Sequence, residues 1–177
     1  MAILPIRTLG DPVLKTPSTD VETFDPSLQS LAEDMFETMY DAPGVGLAAP
    51  QVGRSLRLFV FDDGQETKAA LANPVITEVR GEQLEDEGCL SIPGLFHPTP
   101  RAMYVRIEGR DLGGQRAVFE GEELLARIFQ HETDHLNGLL YIDRLSDAER
   151  RRVLAELRDR EMGVPSGGDV RSRPHPH

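Results

Sequence analysis

Apolar residues at positions 28, 31, 35 and 39 recur at helical spacing, and Asp25-Pro26 stands ahead of them as a cap residue followed by Pro in the first turn. This pattern predicts a helix over about 25–41, with Met35 and Met39 as packing residues on its inner face. A second helix is predicted over 122–137, with acids in its first turn and Gly138 placed to cap its end. A third is predicted over 147–162, before Gly163 and Pro165. Between the first two helices the pattern becomes strand-like. Residues 56–61 alternate in a β-rich run, 75–79, 103–108 and 117–119 are further candidates, and Gly113-Gly114 reads as the turn between the last two. Clustered strands with helices at the ends of the order predict an α+β fold, with mixed or antiparallel sheets packed around a central helix that carries the metal ligands.

The length of 177 residues suits one domain, taken here as residues 1–163. Pro165-Ser166-Gly167-Gly168 opens a tail over 164–177 that has nothing to bury and is expected to be disordered. With 39% hydrophobic and 28% charged residues, the composition is that of an ordinary soluble protein. No apolar run is long enough for a membrane helix, and the first residues do not read as a signal peptide, so a cytoplasmic location is expected. The formal net charge of −11 argues against nucleic acid as a direct substrate, because such binding relies on cations neutralising phosphates. A local exception runs from 144 to 160, where six arginines face four acids; i,i+4 pairs such as Asp147–Arg151 and Glu156–Arg160 account for it as a solvated helix face.

The strongest chemical signal is His131-Glu132-Thr133-Asp134-His135. On a helix, positions i and i+4 project from the same face, and Leu124, Ile128, His131 and His135 fall on one stripe. Two histidines facing a core are costly to bury, and a metal removes that cost. Glu132 lies one residue round, within reach of a water at the metal. A catalytic metal site needs a third protein ligand. Tyr141 stands where one protease layout has a third His, while Glu149 and Glu156 are formally available downstream. The single cysteine, Cys89, is the other candidate: it lies in Glu87-Gly88-Cys89-Leu90-Ser91, and a thiolate is a strong ligand for a divalent transition metal.

Three segments in order, Gly44-Val45-Gly46-Leu47-Ala48-Ala49-Pro50-Gln51, then Glu87-Gly88-Cys89-Leu90-Ser91, then Gln130-His131-Glu132-Thr133-Asp134-His135-Leu136, resemble the three motifs of the peptide deformylase family. The resemblance spans residues 6–158. It implies metal-dependent removal of the formyl group from the N-terminal formylmethionine of nascent polypeptides, with release of formate. It implies one divalent ion, ferrous iron (Fe2+) with Zn2+, Ni2+ or Co2+ as substitutes, held by Cys89, His131 and His135. Glu132 would be the general acid/base, and Gln51 with the backbone N–H of Leu90 would face the oxyanion. Val45, Gly46 and Gly88 would line an extended peptide, with Val45, Leu124 and Ile128 near the methionine side chain. The Arg-rich last helix would offer a ribosome contact. Two departures bear on substrate binding: Phe96 and His97 stand where many members carry an Arg, and Arg127 stands beside the side-chain pocket where many have an apolar residue. Two rival readings use the same helix, a zinc peptidase with a third ligand other than Cys89 and a non-catalytic module that binds nascent peptides.

Overall fold

The structure is a computed structural model that describes residues 2–162, so the tail over 164–177 lies outside the described residues. Among the described residues three helices form: α1 (Pro26–Asp41), α2 (Glu123–Leu136) and α3 (Asp147–Glu161). Asp25 caps α1 by accepting from the N–H groups of Ser27 and Leu28, with Pro26 in the first turn. Gly138, at φ +78°, turns the chain out of α2, and the N–H of Leu139 returns to the carbonyl of Asp134. Ser146 and Glu149 form a reciprocal capping box on α3. On α3 the Glu156–Arg160 ion pair forms, at 3.7 Å, whereas Arg151 donates to the backbone carbonyl of Asp147 rather than to its carboxylate.

Seven strands among the described residues make two sheets. β1 (Gly46–Ala48), β2 (Leu58–Asp62), β3 (Lys68–Arg80), β6 (Tyr104–Arg110) and β7 (Arg116–Glu122) pair in the order β1-β2-β3-β6-β7. β4 (Gln83–Cys89) and β5 (Ile92–Arg101) form a separate two-stranded sheet. Every named strand pair is antiparallel. In β2, Leu58 and Val60 pack with Leu28, Leu31, Met35 and Met39 of α1, while Phe59 and Phe61 pack with Ile128 and Phe129 of α2. A strand covered on both faces must be apolar at successive positions, which is why Leu58-Phe59-Val60-Phe61 is a continuous run. Phe61 meets Phe119 and Phe129 edge-on, with ring centroids 5.4 Å and 5.2 Å apart, the geometry that aromatic quadrupoles favour.

The α+β class with antiparallel sheets holds, but the expectation of a single metal-binding helix at its centre is corrected. The metal donors lie in separate elements: His131 and His135 on α2, and Cys89 at the end of β4. A helix offers neighbouring side chains only at i±3 and i±4 along one stripe, so a third, sulfur donor arrives from the hairpin that packs across it. A third apolar cluster, with Cys89, Ile92, Leu95, Leu140, Tyr141, Ile142 and Val153, ties that hairpin to α3 and the turn before it. No helix among the described residues is long and apolar enough to cross a membrane.

Candidate metal centre

Cys89 closes β4 and pairs with Ile92 across a two-residue turn, Leu90-Ser91. This places the thiol against α2, with Sγ 3.3 Å from Nε2 of His135. Nε2 of His135 is in turn 3.2 Å from Nε2 of His131, and the three donor atoms all lie within 4.8 Å of one another. All three side chains are buried. Nδ1 of His131 donates to Oε1 of Glu87, which fixes the tautomer and leaves Nε2 with its lone pair facing the other donors.

These donors fit a divalent transition metal. Burial pushes the Cys89 thiol up to about 12 and holds His135 well below the usual imidazole range. The metal-free thiol therefore keeps its proton, which a bound divalent cation would displace, and the three donor atoms converge on one point that a cation stabilises. A tetrahedral site with metal–nitrogen distances of about 2.0–2.1 Å and metal–sulfur of about 2.3 Å has donor separations of roughly 3.3–3.6 Å, close to the two short ones here. Cys89, His131 and His135 form a metal-binding triad. Glu149 and Glu156, the ligands that a zinc peptidase would need, lie on α3 outside this group.

Glu132 is fully buried beside the triad, and neither carboxylate oxygen has a hydrogen-bond partner among the described residues. Burial, followed by repulsion from Glu87, raises its pKa well above the usual carboxylate range. Gly46 runs directly past it: a Cβ at that position would come within 2.5 Å of Glu132 Oε2. Gln51 is also fully buried. Its Oε1 accepts from the N–H of Ala48 at 3.0 Å, which turns Nε2 towards Ser91 Oγ at 3.3 Å and Cys89 Sγ at 3.6 Å.

Val45 and Leu124 are half-buried against the apolar cluster that contains Ile128. Gly88 pairs with Phe96 across the hairpin, and the aromatic ring fills the space where a Gly88 side chain would lie. Leu90 is half-buried at the turn. Arg127, expected beside the methionine pocket, is instead 2% exposed, with its guanidinium turned to Glu87.

Glu87 stands in the motif around Cys89, and no local sequence pattern reveals the ion network that it centres behind the histidines. Glu87 accepts from Arg101 at 2.5 Å and 3.0 Å and from Arg127 at 2.6 Å. Burial alone would raise the Glu87 pKa, but His131 and Arg101 outweigh it and hold the carboxyl well below its usual range. Arg101 also donates to Asp134 at 2.6 Å, and Asp134 accepts two further bonds from Arg144. The signal for Glu87 was its position two residues before Cys89, which puts both on one face of a strand.

A Cys/His/His triad with a buried carboxylate beside it, mounted between a helix and a hairpin, defines a metallohydrolase site. The family model for polypeptide deformylase matches residues 3–151. The peptide deformylase of Acidothermus cellulolyticus is 48% identical over 178 residues, covering 100% of this chain and 96% of that protein. The peptide deformylase of Parafrankia sp. is 43% identical, covering 99% of this chain and 97% of that one. Among solved structures, the peptide deformylase of Thermus thermophilus superposes with a TM-score of 0.86 at 46% identity, over 91% of this chain and 96% of that one. That of Legionella pneumophila gives the same TM-score at 45% identity and the same coverage. The chain belongs to the polypeptide deformylase family. Its activity is metal-dependent hydrolysis of the N-formyl group, and its substrates are N-formylmethionyl nascent peptides.

Proposed function

We propose that Glu132 is the general acid/base of this deformylation and that Cys89, His131 and His135 hold the metal for it. The observation that carries the proposal is the Glu132 carboxylate, fully buried next to the triad and without a hydrogen-bond partner among the described residues. A buried carboxylate with nothing to bind costs stability, so a role in proton transfer accounts for it better than a role in packing. When bound, the divalent metal supplies Lewis acidity to the formyl oxygen and to the attacking water. Glu132 takes a proton from the water as its oxygen bonds to the formyl carbon. It gives that proton to the substrate nitrogen as the C–N bond breaks, leaving formate and a free amine. Gln51 Nε2 and the backbone N–H of Leu90 donate to the developing oxyanion. The peptide runs extended along Val45, Gly46 and Gly88, with the methionine side chain against Leu124 and Ile128.

We further infer ferrous iron as the metal, a site of one thiolate and two imidazoles accepting zinc, nickel or cobalt as well. The protein works in the cytoplasm, residues 1–163 are its catalytic domain, and the arginines of α3 face the ribosome from which its substrates emerge. The test is an anaerobic assay of formate release from formyl-Met-Ala-Ser, using protein of measured metal content. Stoichiometric metal with formate release is expected. Metal-replete protein that releases no formate would overturn the proposal.

A further inference from the structure

Arg127 and His131 stand one turn apart on α2, and both grip the carboxylate of Glu87. Each oxygen of that carboxylate carries two donors. Oε1 accepts from His131 Nδ1 and Arg101 Nη2, while Oε2 accepts from Arg101 Nε and Arg127 Nη1. Four bonds saturate a carboxylate, so Glu87 has no freedom to rotate or slide away from the imidazole.

The two arginines are not equivalent. Arg101 divides its guanidinium between Glu87 and Asp134, and Asp134 is itself drawn outwards by Arg144, whose side chain is 46% exposed. Arg101 is therefore part of a chain of ions that leads to solvent. Arg127 lies wholly inside, and its other acceptors are the uncharged carbonyl of Thr99 at 3.0 Å and Gln83 Oε1 at 3.3 Å. His135 provides the contrast, because its Nδ1 has no partner among the described residues. One histidine of the triad is oriented by a pinned carboxylate and the other is oriented by packing.

We propose that Arg127 is a positioning residue for the metal centre: by clamping Glu87 it holds the His131 imidazole with Nε2 aimed at the metal. The inference rests on the triad being the metal site. The i,i+4 relation between Arg127 and His131 lets one rigid helix set both grips on the same carboxylate.

The experiment compares cobalt-loaded parent, Arg127→Met, Arg127→Lys and a core control, Ile107→Ala. For each, the visible cobalt spectrum, the rate of cobalt loss to EDTA and the melting temperature are measured. Arg127→Met is expected to lose cobalt about 10-fold faster than the parent, with a displaced spectrum; this is the low end of the ~10–100-fold in metal affinity that losing a ligating histidine's direct partner costs, because Arg127 acts through Glu87. Arg127→Lys, which restores one charged bond to Glu87, is expected to recover most of both. Ile107→Ala is expected to melt lower while keeping the parent spectrum and loss rate. Loss from Arg127→Met within about twofold of the parent, or a control that matches Arg127→Met in spectrum and rate, would overturn the proposal. If Arg127→Met does not fold, Arg127→Gln takes its place against Arg127→Lys, and equal loss rates for the two would overturn it. A parent that fails to take up one cobalt per chain would instead sink the metal-site assignment.

Discussion

Gly46 passes so close to Glu132 that a Cβ on it would meet both Oε2, at 2.5 Å, and Cδ, at 2.9 Å. The absence of a side chain there lets strand β1 run against the buried carboxylate. Gly46→Ala forces one of them to move. Displacing a reacting group by about 1 Å can cost on the order of 10²-fold in rate, so kcat should fall by about that factor with metal content unchanged. Steady-state formate release and metal analysis on one sample check this. Activity within about fivefold of the parent would show that the close approach does not matter to the chemistry.

Metal retention should depend on both elements of the divided site. Cys89→Ala, on the hairpin, and His135→Ala, on α2, should each lose most bound metal, because two donors cannot complete a tetrahedral shell. Near-full occupancy in either variant would remove that residue from the ligand set.

The turn before α3 should carry an acid-sensitive contribution to stability. Asp143 accepts from Lys15 Nζ at 2.6 Å and from the N–H of Leu140 at 2.8 Å. Its partial burial raises its pKa, but these bonds outweigh that and hold it below the usual value. A carboxylate lowered in the folded state stabilises above its unfolded pKa of about 3.9 and loses that contribution as pH falls through the folded value. The stability difference between the parent and Asp143→Asn, from urea unfolding, should therefore be larger at pH 6 than at pH 3. An equal difference at both pH values would contradict the assignment.

The helices were legible because their caps and their spacing are local: Asp25-Pro26, Gly138 and the run of Leu28, Leu31, Met35 and Met39 each act within a few residues. Much of the sheet was not. β4 is Gln-Leu-Glu-Asp-Glu-Gly-Cys, too acidic to look like a strand, and β5 carries Pro93, Pro98 and Pro100. Both are edge strands of a two-stranded sheet, where missing N–H donors and charged side chains are tolerated. β3 runs from Lys68, well before the predicted 75–79, because a bulge absorbs Asn73, at φ +51°, and Pro74. The triad was legible through its residue types. The ion network behind it was not, since Glu87 finds Arg101, Arg127 and His131 at separations of 14 to 44 residues, and no local pattern announces such partners.

The most direct test of the account is Glu132→Gln, assayed anaerobically for formate release from formyl-Met-Ala-Ser with metal stoichiometry measured on the same protein. The substitution keeps the size of the side chain and removes no ligand, so one metal per chain should remain. General acid–base participation is typically worth ~10²–10⁴-fold, and one carboxylate serves both proton transfers here, so activity should fall by the upper part of that range. Activity within about tenfold of the parent with metal retained would contradict the role of Glu132 and leave the metal and Gln51 sufficient for the reaction.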